Sequence, residues 1–242
     1  MIINSKFLIF ARHPESVKNV VGAFSSTSGI EQLTPTGDAQ SIDILNGLLR
    51  FSIIAGVSKG DSVIVSSPCE RAITLANRLA NAMSSHVIVD DRIKPIDSGS
   101  VAGKTETQAL VDTPGFMRML ELYRAGVTGS DHIHGYGESL KSFEARIASS
   151  ITDILNLDKR LVAVIGHRSS ITASLINLAR RSLNYPPDFY GYIPLDLGYL
   201  TSIRVTDVND LVWLAVNRPA DEVCHRLASF LSGQAINALS AS

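Results

Sequence analysis

The chain has 242 residues, 45% of them hydrophobic, enough to bury one sizeable core, or a core with a small appended lid. A net charge of −1, a pI of 6.6 and the lack of any Lys or Arg run argue against nucleic acid or an anionic membrane as partner. Two cysteines, Cys69 and Cys224, make no disulfide framework; no apolar run approaches a membrane span and the first six residues lack a signal pattern, so the expectation is a soluble cytoplasmic chain.

Residues 7–10, Phe-Leu-Ile-Phe, read as a strand buried on both faces in a parallel sheet. The run stops on Arg12 and His13. Open α/β sheets bind ligands just beyond the carboxyl ends of their strands, where an Arg beside a His can hold an anion and attack it. Residues 14–33, rich in Ser, Gly and Thr, form a loop over that rim. Thr34 before Pro35 is an N-cap followed by a helix-starting proline, and Ile42, Leu45 and Leu48 or Leu49 mark one face of a helix to about Phe51. Residues 62–68 are a second strand running into Cys69, Glu70 and Arg71. Pro68 opens a helix with the stripe Ala72, Leu75, Ala76, Leu79 and Met83, placing Arg71 in its first turn. Residues 86–90 are a third strand-like run, with His86 a solvated edge residue.

Residues 91–136 are the least regular part and read as a lid or side wall that selects the substrate, with helical spacing over 116–124. Asp131, His132 and His134 in it read as a polar loop rather than a metal site, since no further ligand group is evident. A long amphipathic helix follows Gly137, Glu138 and Ser139, with Leu140, Phe143, Ile147, Ile151 and Ile154 on its apolar side. Glu138 is either a favourable first-turn charge or a group facing the site. Residues 161–166 form another buried strand, ending on His167. Ile171, Leu175, Leu178 and Ala179 mark the next helix. Residues 185–190 are a turn-rich aromatic segment, 200–205 and 211–216 a hairpin, and 219–238 a last surface helix.

Three buried strands thus each deliver Arg or His to one rim. Two imidazoles and two guanidiniums converging there suit a phosphoryl group, with planar donors for its oxygens and a nitrogen nucleophile for its phosphorus. The alternation of strands and helices predicts a three-layer α/β/α domain spanning residues 1–242, with 91–136 as its insertion.

The same residues resemble the histidine phosphatase superfamily, which includes the phosphoglycerate mutases. Arg12-His13-Pro14-Glu15-Ser16 with Asn19 is similar to its R-H-G-[ED]-[ST]-x-x-N signature. Leu33-Thr34 with Gly37 and Gln40 is similar to L-T-x-x-G-x-x-Q, Ser66-Ser67-Pro68 with Arg71-Ala72 to S-S-P-x-x-R-A, Gly137-Glu138-Ser139 to G-E-S, and Gly166-His167 to the second-histidine G-H. The matches come in the family's order. The resemblance implies a mixed, mostly parallel sheet with one antiparallel strand. It also implies a metal-independent, cofactor-free reaction in which His13 becomes a phosphohistidine while Arg12, Arg71 and His167 hold the phosphoryl oxygens. Asn19 and Ser25 would contact phosphate or substrate, with turn capping the alternative for Asn19; Glu138 is a further substrate contact.

Two positions depart from the pattern. Pro14 replaces the glycine after the nucleophile. Pro95 stands where many members carry the glutamate that protonates the leaving group. Asp97 is then the nearest replacement acid, unless it is only a turn carboxylate before Gly99, and Glu106 is a more remote one. General acid help is worth roughly 10²–10⁴-fold, and alkoxide leaving groups need it most. The readings left open are a phosphatase of a small phosphorylated metabolite, a phosphatase of labile groups such as phosphohistidine, and a non-catalytic phospholigand-binding protein. A phosphomutase fits less well without the acid. Substrate identity and oligomeric state, a homodimer included, are open from the sequence.

Overall fold

The computed structural model describes residues 5–24, 31–113, 115–125, 137–182, 193, 195–207 and 210–233. Strand β1 (Lys6–Arg12) leads through a single-turn helix α1 (Val17–Val21) and a loop to α2 (Pro35–Ile54). Then come β2 (Ser62–Ser66), α3 (Glu70–Met83), the short β3 (Val87–Val89), α4 (Glu106–Asp112) and α5 (Phe116–Arg124). The chain continues through α6 (Leu140–Asn156), β4 (Leu161–Gly166), α7 (Arg168–Ser182), β5 (Leu200–Asp207), β6 (Asp210–Arg218) and α8 (Ala220–Leu231).

The six strands form one sheet in the order β3-β2-β4-β1-β5-β6, with β5 antiparallel to both of its neighbours and the remaining contacts parallel. The continuous apolar runs follow from this architecture. Phe7, Ile9 and Ala11 of β1 point to one face, where Ile44, Leu48 and Phe51 of α2, Leu75 and Leu79 of α3, and Val223 and Leu227 of α8 cover them. Leu8 and Phe10 point to the other, under Phe143, Ile147 and Ile151 of α6 and Ile171, Leu175 and Leu178 of α7. A strand covered on both sides has no solvent face, so polar alternation disappears. The predicted three-layer α/β/α arrangement with a mostly parallel sheet is therefore what forms.

Some local expectations differ. The buried stripe of α2 is Ile44, Leu48 and Phe51, and Ile42 is 58% exposed. Ile42 and Ile44 lie about 200° apart on a helix, so only one can face the sheet. The last helix ends at Leu231 rather than 238. Within 91–136, Val101, Ala109, Phe116 and Leu120 build a small apolar cluster of their own, with Phe24 from the loop after α1 packed against it. Phe24 and Phe116 meet edge to face at 4.9 Å. The cluster Asp131, His132 and His134, the aromatic segment 185–190 and Ser25 lie outside the described residues.

Candidate active site

Strands β2, β4 and β1 are adjacent and parallel, so their carboxyl ends share one rim. Arg12 and Gly166 are register partners, and the next residues of each strand are His13 and His167. The His13 backbone N–H donates to Gly166 O at 3.0 Å, and that of Ser67, just past β2, donates to Ile165 O at 3.0 Å. Sheet pairing thus continues into the site and sets the two imidazoles side by side, ring centroids 5.1 Å apart. Both rings, Arg12 and Arg71 are buried.

Arg71, 1% exposed, is the hub. Its Nε donates to His13 Nε2 at 3.1 Å, one terminal nitrogen lies 3.0 Å from His167 Nδ1, and the other is ion-paired to Glu31. A guanidinium can only donate, so both histidine nitrogens facing it are lone-pair acceptors. The tautomers follow. His13 carries its proton on Nδ1, 2.8 Å from Pro14 O, and His167 carries its own on Nε2, 2.8 Å from Ser67 Oγ. Both imidazoles are neutral, in agreement with burial, reinforced by Arg71 and nearby charges, holding each well below the usual pKa of 6.5. Arg12 donates to Leu195 O at 2.6 Å, fixing it from the segment before β5.

The L-T-x-x-G-x-x-Q residues hold the chain that carries the nucleophile. Thr34 Oγ1 donates to Glu15 Oε1 at 2.7 Å while accepting from Gly37 N at 3.0 Å, capping α2. Gln40 Oε1 accepts from Glu15 N at 2.8 Å, and Thr34 N donates to Glu15 O at 3.1 Å. Gly37 lies so close that a Cβ there would sit 2.0 Å from Glu15 O.

A cavity of about 500 Å³ opens on this rim, within the size of small-molecule sites. Arg12, His13, Arg71, His167 and Asn19 all line it, so five sequence-assigned residues meet in one place. Asn19 also closes a capping box: its Oδ1 accepts from Ser16 N at 2.9 Å and Ser16 Oγ at 2.8 Å. The cap uses only the amide oxygen.

Two assigned residues are placed elsewhere. Asp97 is exposed and not in the cavity wall; its Oδ1 accepts from Gly99 N at 2.9 Å, the turn-carboxylate role. Glu138 is also outside the wall, gripping Arg146 through both oxygens at 2.8 Å. Arg146 in turn donates to the Lys94 and Pro95 carbonyls at 3.0 and 2.9 Å, so this pair shapes the segment that carries Pro95 and Ile96 into the cavity. Gly137 permits the close approach, since a Cβ there would lie 2.5 Å from Asp97 O. Glu106, at the start of α4, does line the cavity.

Two buried charges at the site carried no sequence signal. Lys18, in α1, lines the cavity, and burial with Arg71 alongside lowers its pKa to about 8. Glu31, buried against Arg71, lies in a loop with no periodicity, and its partner is forty residues away. No amphipathic pattern reports such a tertiary pair. Among the described residues no three His, Cys, Asp or Glu side chains cluster to hold a metal, and no helix is long and apolar enough to cross a membrane.

A mixed sheet with two neutral imidazoles and two buried guanidiniums at one rim is the arrangement of a phosphate-handling α/β enzyme. The chain belongs to the histidine phosphatase superfamily, branch 1, whose profile it matches over residues 8–217, and it is a phosphoric monoester hydrolase of that superfamily. A protein described as putative phosphoserine phosphatase 2 of Hydrogenobacter thermophilus is 24% identical over 173 residues, covering 69% of this chain and 76% of that one. Mycobacterial glucosyl-3-phosphoglycerate phosphatase, solved with VO3, superposes with a TM-score of 0.68 at 18% identity, over 88% of this chain and 99% of its own. The alpha-ribazole phosphatase of Shigella flexneri gives a TM-score of 0.70 at 18% identity, over 88% of this chain and 96% of its own.

Proposed function

We propose that the protein is a metal-independent phosphatase of a small phosphorylated metabolite, working through a phosphohistidine at Nε2 of His13. The observation that carries this reading is the tautomer: with the Nδ1 proton directed to Pro14 O, the lone pair of Nε2 faces the guanidinium of Arg71 in the cavity. An arriving phosphoryl group takes Arg71's donors onto its oxygens and frees that lone pair for attack. Nε2 forms a bond to phosphorus as the ester P–O bond breaks, and the leaving oxygen takes a proton. Glu106 is assigned to give it, in place of Asp97; the other carboxyl group of the cavity wall, Asp196, accepts from Asn217. Water then attacks the phosphohistidine, returning its proton to Glu106 and releasing phosphate. Arg12 and Arg71 stabilise the equatorial oxygens in both steps, which is preorganised electrostatic catalysis, and His167, whose one N–H is on Ser67, joins them by taking a proton at Nδ1 when the dianion arrives.

The test is rapid mixing with a ³²P-labelled monoester in EDTA, followed by a quench. The expected result is an acid-labile, base-stable label on the wild-type protein and none on His13→Ala. Labelling of His13→Ala to the wild-type level overturns the assignment. Pro95 in the cavity wall, at the family's acid position, favours a second reading in which the substrate is a labile phosphoryl group that departs without a proton. A screen that turns over phosphohistidine and no alkyl phosphate would establish it.

A further inference from the structure

We infer that Lys18 is a third buried cationic ligand of the phosphate, and that Glu31 is a positioning residue that aims Arg71 and tempers the charge of the buried cations. The inference deepens the phosphatase reading and rests on it for the identity of the ligand.

Lys18 is 7% exposed and lines the same cavity as His13, Arg12 and Arg71. Lysine is almost never buried unless its charge is matched. The groups that act on its ammonium are Arg71 of α3, Glu31 of the loop before α2, Cys69 at the start of α3 and Arg12 of β1. Lys18 in turn acts on His13 and His167. Three buried cations, Arg12, Lys18 and Arg71, therefore surround one buried carboxylate, Glu31, with both imidazoles neutral, while Arg168, Glu106 and Asp196 line the cavity from exposed positions. The buried groups alone carry a net of two positive charges, which balances a phosphomonoester dianion. A diester, with one negative charge, would leave a buried positive charge uncompensated, which is costly in a low-dielectric site.

Glu31 has an odd bonding pattern for a merely structural residue. One carboxylate oxygen is on Arg71, while Oε2 is buried and has no hydrogen-bond partner among the described residues. A buried, half-satisfied carboxylate costs stability. What it provides is a fixed Arg71: with one terminal nitrogen tied to Glu31, the Nε and the other terminal nitrogen are aimed at the two imidazoles between which the phosphoryl group must sit. Its negative charge also keeps Lys18 protonated to higher pH than Arg71 and Arg12 alone would allow.

Inorganic phosphate binding by calorimetry tests both roles without needing turnover, with each affinity expressed per phosphate dianion because the free ligand loses its second proton near neutral pH. In the wild type, affinity should fall as pH rises through about 8, where Lys18 loses its proton. Lys18→Met should bind roughly 10- to 100-fold more weakly at pH 7.5, the worth of one charged hydrogen bond, and should lack the fall. Glu31→Gln keeps an acceptor for Arg71 but removes the charge, so the fall should move to lower pH. Glu31→Ala should in addition lose affinity at every pH. A fall near pH 8 that survives in Lys18→Met, or that stays in place in Glu31→Gln, overturns the inference. Phosphate binding remains measurable whether or not His13 is labelled, so failure here is separate from failure of the phosphohistidine mechanism.

Discussion

The Nε of Arg71 lies 3.1 Å from Nε2 of His13, and this bond joins the cation that would bind phosphate to the nitrogen that would attack it. A guanidinium brings several donors in one rigid plane; an ammonium brings a point charge. Arg71 divides that plane among three partners, His13, His167 and Glu31. Arg71→Lys keeps the charge but cannot reach all three. It should lower kcat/KM by roughly 100-fold or more, the loss of about two charge-assisted hydrogen bonds. Steady-state kinetics of the Lys variant near the wild-type value would show that Arg71 acts through charge alone.

The proton donor can be identified from leaving groups. Glu106 lines the cavity and Asp97 caps a turn outside it. Glu106→Gln should slow an alkyl phosphate by roughly 10²–10⁴-fold while leaving an activated aryl phosphate nearly untouched, because a low-pKa phenolate departs without a proton. Asp97→Asn should slow neither by as much as about tenfold. The reverse pattern would return the role to Asp97.

Much of this site is legible in the sequence because strand ends are legible. Arg12, His13, Arg71 and His167 each follow a short apolar run directly or by a helical first turn, and sheet register then brings them together without further information. Glu138 is not placed by the sequence, because a carboxylate at a helix start looks the same whether it meets substrate or Arg146; the deciding partner lies eight residues further along the same helix. Sequence distance to Pro95 favours Asp97 over Glu106, yet the turn at Gly99 directs the nearer carboxylate outward and the start of α4 carries the farther one in. Lys18 and Glu31 follow neither a strand nor a periodic stripe. Their role arises only from burial beside Arg71.

The two neutral histidines should make the protein sensitive to acid. Burial, then Arg71, lowers both pKa values well below 6.5, so below that pH the unfolded chain binds protons that the folded chain does not. Stability is then present above 6.5 and is lost as pH falls, by up to roughly 1.4 kcal/mol per pH unit for each histidine. Urea midpoints measured between about pH 7.5 and 5.5 should fall in the wild type and fall less steeply in His13→Asn. Equal slopes would mean that His13 binds its proton as readily in the folded protein as in the unfolded chain.

Behind the nucleophile, Gly37 sits near the start of α2, where alanine would ordinarily gain about 1 kcal/mol of helix propensity. Here a Cβ would lie 2.0 Å from the carbonyl oxygen of Glu15, a backbone atom held by Thr34 N and unable to swing away as a side chain would. Overpacking of this kind typically costs about 1–3 kcal/mol, so the clash should outweigh the propensity gain and Gly37→Ala should lower Tm. Relief must come from moving Glu15, two residues beyond His13, so kcat/KM should fall as well, through kcat more than KM. Gln40→Leu tests the same support by another route: it removes the acceptor of Glu15 N–H without adding bulk near its carbonyl, and should cost activity with a smaller change in Tm. A Gly37→Ala protein with unchanged Tm and kcat would show that the Glu15 backbone does not transmit its position to the nucleophile.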